Sequence, residues 1–220
     1  MTSPDGGFPD YSPSERRADA LIHIVGVTAG LLGAAWMSIE IIEADGLPAR
    51  TAWSLATYGL GLIGMLVMSA SYNMARPGPR KALLRRLDHA MIFVMIAGTY
   101  TPFTLSGLEG RPEGLLLCAA VWSVAAVGVL LKLFFLHRFE RLGLVLYLGL
   151  GWAVVTVAGP LSTRLSGTAL WLLAIGGVLY TFGVIFHLLQ RMPYHNAVWH
   201  FMVLAAAVCH FSAVMVEFVP

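Results

Sequence analysis

The chain has 220 residues, of which 58% are hydrophobic and 12% are charged. A soluble domain is about 45–50% apolar and about 25% charged, so this composition excludes a soluble globule and a disordered chain. Two cysteines are too few for a disulfide-rich scaffold, and a net charge of +2 gives no basic surface of the kind that binds nucleic acid. We therefore expect a polytopic membrane protein with no nucleic-acid partner.

Seven apolar stretches are long enough to cross a bilayer core, which takes roughly 20 helical residues. Their apolar runs are continuous rather than alternating, which favours helices over a barrel. The predicted spans are Ala20–Ile42, Ala52–Met74, Leu87–Leu105, Gly114–Leu136, Leu142–Ser162, Leu165–His187 and Asn196–Val216. We expect an all-α, seven-transmembrane helix bundle formed by residues 15–220, after a flexible cytoplasmic tail over residues 1–14.

Basic residues are divided unequally between the two sides of this bundle. Eleven of the 14 Lys and Arg lie before the first span, in the loops after the second, fourth and sixth spans, or, for Lys132, in the last turns of the fourth span. The positive-inside rule then predicts a cytoplasmic N-terminus, an outside C-terminus and a multi-pass protein of the cell (inner) membrane. The basic loop Arg76–Arg86 either only sets this topology or also attracts anionic lipid head groups, and membrane lipids are the expected partners.

Polar residues inside the spans are costly in lipid and by default mark a functional site. The pair Ser69 and Asn73 and the pair Asn196 and His200 are each spaced i,i+4, so each pair shares one helix face. We expect a polar pocket at the cytoplasmic ends of helices 1, 2, 3, 6 and 7. Its predicted members are Glu15, His23, Ser69, Tyr72, Asn73, Asp88, His89, Asn196 and His200.

Several chemistries suit such a pocket. His and Asp are zinc ligands, and a catalytic zinc keeps three protein ligands and one water. A proton-linked site and a hydrogen-bonded structural plug are equally compatible with these residues. His210 lies about 15 Å deeper than His200 along one helix, and we expect it to face elsewhere and to be structural. The sequence contains no phosphate-binding or heme-attachment motif, so no nucleotide, heme or flavin is expected.

Short motifs at the span ends identify a family. They are Ser69-Ala70-Ser71-Tyr72-Asn73, Leu87-Asp88-His89, Ala97-Gly98-Thr99-Tyr100-Thr101-Pro102-Phe103 and Cys209-His210-Phe211. With these motifs the chain resembles the bacterial hemolysin III family, which is related to the progestin and adipoQ receptors. The resemblance implies seven helices, a zinc site near the cytoplasmic face, and either hemolytic activity or hydrolysis of lipid amides. The implied zinc ligands are one His at the end of the second span and two at the start of the seventh, with an Asp acting through water.

The chain departs from this implied zinc site at two positions. Ser69, Asp88 and His200 match the family, but Asn73 and Asn196 occupy the positions of two histidines. A neutral carboxamide is a poor zinc ligand, so most of the affinity should be lost.

Three explanations remain open. The zinc site is rebuilt with His195 and with His23, His89 or His187. Alternatively, the pocket is a metal-free hydrogen-bonded network of Asn73, Asn196, Asp88 and His200, which we favour. The third explanation is a harder ion that prefers oxygen ligands.

Two main functions follow from these alternatives. The first is a membrane- or lipid-homeostasis protein, or a hemolysin-like protein, whose zinc site is degenerate. The second is a metal-dependent lipid amide or ester hydrolase, with Asp88 as general base and Ser69 assisting at the carbonyl oxygen. Its metal ligands would be His200 and Asp88, joined by His195 and His23. A transporter is a third option, but the spans show no matching broken helices in two halves.

Overall fold

The computed structural model describes residue 8, residues 10–136 and residues 138–219, without the side chains of residues 140 and 141. Within these ranges the chain forms eight α-helices and no β-strand. The helices are α1 (Pro13–Glu43), α2 (Ala49–Met74), α3 (Pro79–Pro102), α4 (Pro112–Phe135), α5 (Glu140–Trp152), α6 (Ala158–Ser162), α7 (Gly167–Leu188) and α8 (His195–Phe218). The predicted tail over residues 1–14 falls largely outside the described residues, so its flexibility stays a prediction.

Seven helical segments of the described chain are long and apolar enough to cross a membrane. The third segment joins α3 to a π-helical turn at Phe103–Gly107. The fifth joins α5 and α6 through a 3₁₀ turn at Ala153–Val157. The predicted all-α fold with seven spans is therefore confirmed. Several helices begin before the predicted spans, because a helix continues past the apolar run that marks the bilayer core.

Local sequence explains where α1 begins. The Ser12 hydroxyl accepts the backbone N–H of Glu15, and the Glu15 carboxylate accepts the backbone N–H of Ser12, with Pro13 at the first helical position. This capping box satisfies backbone donors that a helix start leaves free. It adds almost two turns before the first predicted span, and Asp19 lies in this added stretch.

Glycines allow the inner helices to pack closely. A Cβ on Gly61 of α2 would lie 3.5 Å from the Cα of Met95 on α3, and one on Gly98 would lie 3.4 Å from the carbonyl oxygen of Thr57. On the other side of the bundle, a Cβ on Gly26 of α1 would lie 3.3 Å from Leu204 of α8. Small residues let helix backbones approach in this way. The approach of α1 to α8 brings polar residues of both helices together.

The fifth span is interrupted where α5 ends. The Tyr100 hydroxyl donates to the carbonyl oxygen of Leu150 at 2.8 Å and accepts the backbone N–H of Val154 at 2.7 Å. Backbone groups freed by a helix break need such partners inside a membrane. Tyr100 of α3 therefore stabilises the 3₁₀ turn that follows Trp152.

Candidate functional site

Three side chains meet where α1 begins and α8 begins, and we call them the Asp19 cluster: Asp19, His23 and His200. The Asp19 carboxylate lies 2.6 Å from His200 Nδ1 and 3.5 Å from His23 Nε2. The two imidazole ring centroids are 4.4 Å apart. Asp19 and His23 are buried, and the side chain of His200 is 10% exposed. Asp19 and His23 share one face of α1 because they are spaced i,i+4.

Two asparagines continue the Asp19 cluster towards α2. Asn196 Nδ2 lies 3.5 Å from His200 Nδ1 and donates to Asn73 Oδ1 at 3.4 Å. Asn73 Nδ2 donates to the carbonyl oxygen of Ser69 one turn earlier. Three of the four residues of the predicted hydrogen-bonded network, Asn73, Asn196 and His200, are joined here, and the carboxylate that His200 contacts is Asp19 rather than the predicted Asp88.

Asp88 and Ser69 form a neighbouring pair on α3 and α2. The Ser69 hydroxyl faces the Asp88 carboxylate, and Asp88 interacts electrostatically with His23. Asp88 is 9% exposed. His89 Nδ1 lies 2.7 Å from the carbonyl oxygen of Arg85 and 3.7 Å from the Asp88 carboxylate, so His89 contacts Asp88 rather than Asp19. Asp88 is thus adjacent to the Asp19 cluster without being one of its three members.

These groups line one cavity of about 1370 Å³. Ligand sites for drug-sized molecules measure about 300–1,000 Å³, so this cavity has room for a larger molecule. Every predicted pocket residue lies on its wall, from Glu15 and His23 to Asn196 and His200. Trp152 and Thr181 border the cavity between α5 and α7, where the indole N–H donates to the Thr181 hydroxyl at 3.1 Å.

The segment before α1 covers the polar end of the cavity. The Tyr11 ring lies 5.6 Å from the His195 ring, and Glu15 accepts the backbone N–H of Tyr194 at 2.9 Å. Tyr194 adopts a left-handed backbone conformation with φ 59°, which turns the chain into α8. Burial raises the pKa of the Tyr11 phenol above its usual value, so this hydroxyl stays protonated. His195 faces Tyr11 and is not one of the three residues of the Asp19 cluster.

Asp19 is the site residue that the sequence analysis missed. The predicted first span began at Ala20, one residue after it. A usable signal was present, because Asp19 and His23 stand four residues apart on a continuing helix.

His210 also differs from its prediction. It lines the same cavity as His200, so the expectation that it faces elsewhere is wrong. Ten residues at about 100° each leave the two side chains only about 80° apart around α8.

The Asp19 cluster brings together a donor set that suits a metal ion. One ligand atom from each of its three residues lies within 4.8 Å of the other two. Zinc bonds of about 2.0–2.2 Å place tetrahedral ligand atoms about 3.4 Å apart, close to the 3.5 Å between Asp19 and His23. The 2.6 Å contact between Asp19 Oδ1 and His200 Nδ1 is a hydrogen bond, which a zinc ion bound by these two atoms would replace. His23 Nε2 is buried and has no hydrogen-bond partner among the described residues. Two imidazoles and a carboxylate are a donor set that zinc accepts, with one position left open.

The haemolysin-III-related family matches residues 13–211, which include the Asp19 cluster, Ser69, Asp88 and both asparagines. The chain belongs to this family. It is 34% identical to a hemolysin-3 homolog of Bacillus subtilis over 205 residues, covering 93% of this chain and 95% of the relative. It is 33% identical to hemolysin-3 of Bacillus cereus, covering 94% and 93% of the two chains.

A more distant relative is the human monocyte to macrophage differentiation factor. It is 26% identical over 93% of this chain and 85% of its own length. The resemblance inferred from the sequence motifs is therefore confirmed. Together with the seven apolar helices, membership shows that the chain is a hemolysin-III-like, multi-pass integral membrane protein.

Proposed function

We propose that this protein binds a membrane lipid in its cavity, with a zinc ion held by the Asp19 cluster at the cavity's polar end, and that it acts in membrane-lipid homeostasis. The observation that carries the proposal is the position of Asp19, His23 and His200 on the wall of a single large cavity. The head group of a lipid would lie at the zinc ion, and its acyl chain would extend into the rest of the cavity.

Asp19 would replace one of the two expected histidine ligands that this chain lacks. Asn73 and Asn196 supply neutral carboxamides, which zinc binds weakly. Asp19 supplies a charged oxygen from α1, and His23 supplies an imidazole one turn later. This arrangement is a version of the rebuilt site, although His195 and His89 take no part. It also departs from the metal-free network that the sequence favours.

The membrane position of the cavity supports a lipid as its occupant. Leu204, Val203 and Val184 provide apolar wall beyond the polar end. Arg76, Lys81 and Arg85 lie on the wall at the polar end, where they attract an anionic head group. The excess of Lys and Arg on this side supports a cytoplasmic N-terminus and a site in the inner leaflet.

A lipid hydrolase is the second candidate, and the Ser69–Asp88 pair favours it. A bound zinc would supply a hydroxide-like water near neutral pH. Asp88 would accept a proton from the attacking water, and Ser69 would donate a hydrogen bond to the carbonyl oxygen of an amide or ester. Both residues lie on the cavity wall beside the Asp19 cluster.

Metal content tests the zinc site directly. Protein purified in detergent without chelator is expected to hold one zinc per chain by mass spectrometry of the metal. Asp19→Asn keeps the shape of the side chain but removes its charge, and should lower zinc affinity at least tenfold. Glu43→Gln at the far, exposed end of α1 is the matched control and should retain the metal. If the wild-type protein is purified without metal and also fails to take up added zinc, the zinc site is refuted, and the Asp19 cluster is a metal-free hydrogen-bonded network.

Cysteine labelling tests the proposed orientation. A variant lacking Cys118 and Cys209 would receive one cysteine in place of Arg80 or of Glu43, which lie at opposite ends of the bundle. An impermeant maleimide added to intact cells should label the Glu43→Cys variant and spare the Arg80→Cys variant. The reverse pattern would place the Asp19 cluster on the outer side.

A further inference from the structure

A second group of polar side chains lies at the deep end of the cavity. His210 is ten residues beyond His200 on α8, which places it about 15 Å further along the helix. Tyr180 of α7 lies beside it, with the two ring centroids 5.5 Å apart. Both residues line the cavity. Polar side chains this far inside a membrane span are costly and by default indicate a function.

The hydrogen bonds of this group are incomplete. His210 Nε2 lies 3.3 Å from the carbonyl oxygen of Leu173. A carbonyl only accepts, so Nε2 donates and Nδ1 of the neutral ring is left as an acceptor. Among the described residues, neither Nδ1 of His210 nor the Tyr180 hydroxyl has a hydrogen-bond partner. The adjacent Tyr58 hydroxyl is fully buried and is also unpartnered within the described chain.

The helix backbone is shaped to hold His210 in this place. A Cβ on Gly176 of α7 would overlap the His210 imidazole. Only glycine therefore leaves room for the ring between α7 and α8 while Nε2 contacts the carbonyl oxygen of Leu173. Phe211, the next residue on α8, stacks on Tyr58 at 6.5 Å. These contacts fix the ring on the cavity wall.

We propose that His210 and Tyr180 bind a second polar group on the lipid chain, a hydroxyl or oxo group about 15 Å from the head group. A ligand hydroxyl can donate to His210 Nδ1 and accept from the Tyr180 hydroxyl. Because carbon–carbon bonds of about 1.5 Å meet at tetrahedral angles, an extended chain advances about 1.25 Å per carbon, and this distance corresponds to about 12 carbons. The preferred ligand class is thus a mid-chain hydroxylated or oxidised fatty acyl group. This inference rests on the proposed lipid binding.

The test compares three fatty acids that differ only in their hydroxyl group. Stearate, 12-hydroxystearate and 2-hydroxystearate would each compete with a fluorescent fatty acid for the purified protein in detergent. We expect 12-hydroxystearate to bind about tenfold more tightly than the other two, which is the effect of one or two buried hydrogen bonds. The 2-hydroxy isomer is the matched control, because its hydroxyl lies at the head group.

Two variants locate the preference. Tyr180→Phe removes one hydroxyl, and His210→Phe removes the acceptor while filling the same space. Each should reduce the preference for 12-hydroxystearate over stearate, taken as the ratio of the two dissociation constants in the same variant, to less than threefold. Gly176→Ala, which displaces the ring but keeps its chemistry, should do the same if His210→Phe does not fold.

The outcomes separate this inference from the proposed function. Equal binding of all three fatty acids to the wild-type protein would overturn the second polar site and leave lipid binding intact. A preference that survives in Tyr180→Phe and in Gly176→Ala would overturn the assignment to His210 and Tyr180. If none of the fatty acids binds, lipid binding itself is refuted, and the second site falls with it.

Discussion

The two ends of the bundle both contain acid–base pairs, but in different surroundings. At the end where α2 begins, Arg50 of α2 pairs with Glu109 in the loop before α4 at 2.5 Å, and the two side chains are 52% and 59% exposed. At the other end, Asp19 pairs with His200 at 2.6 Å, and the side chains are 12% and 10% exposed. The distances are alike and the burial is not.

Burial determines how much each pair contributes to stability. An exposed ion pair contributes about 0–1 kcal/mol, and here it connects the start of α2 to the loop before α4. A buried pair in a membrane span loses its hydration, which often costs more than the pairing returns. The proposed metal site gives a physical reason for keeping Asp19, His23 and His200 together in that position, because a bound cation would stabilise the buried carboxylate.

Removing the metal should show the largest difference between the two ends. At a free zinc concentration about 100 times the dissociation constant, a bound ion stabilises the folded state by about 2.7 kcal/mol. A chelator should therefore lower the thermal unfolding temperature of the wild-type protein in detergent and leave that of Asp19→Asn unchanged. Added zinc should restore the wild-type value. An equal response of both proteins to the chelator would show that the metal binds elsewhere.

Restoring the family's histidines should have the next largest effect. Asn196 lies 3.5 Å from His200, and Asn73 accepts a hydrogen bond from Asn196. The double variant Asn73→His and Asn196→His adds two imidazoles and should raise zinc affinity by at least tenfold, measured by competition with a chromogenic chelator. Asn73→Gln with Asn196→Gln is the matched control and should give no gain. If the histidine variant binds no zinc, these two positions do not face the metal.

The bundle was predictable from sequence because the lengths of apolar runs follow bilayer thickness. The pocket residues were predictable for a related reason, since polar groups within apolar runs stand out. Asp19 was missed because the polar turn before Ala20 belongs to α1, and a hydropathy window ends where polarity begins. Its partnership with His200 depends on how α1 packs on α8, which no local pattern encodes.

The break in the fifth span was also beyond the sequence. Gly151 and Trp152 are compatible with a continuous helix. The helix ends here because Tyr100, some fifty residues earlier on α3, takes over backbone hydrogen bonds of Leu150 and Val154. A partner supplied by another helix leaves no trace in the periodicity of the segment it interrupts.

Removing the exposed Arg50–Glu109 ion pair should have the smallest effect on stability. Arg50→Ala, Glu109→Ala and the double variant form a thermodynamic cycle whose coupling energy we expect to be below about 1 kcal/mol. The cycle is measured by thermal unfolding in detergent, at low and at high salt. Zinc content should be the same in all three variants, because both residues lie far from the Asp19 cluster. A coupling energy of several kcal/mol, or a loss of zinc, would contradict this comparison. The burial of the Asp19 cluster would then not distinguish it from the exposed Arg50–Glu109 pair.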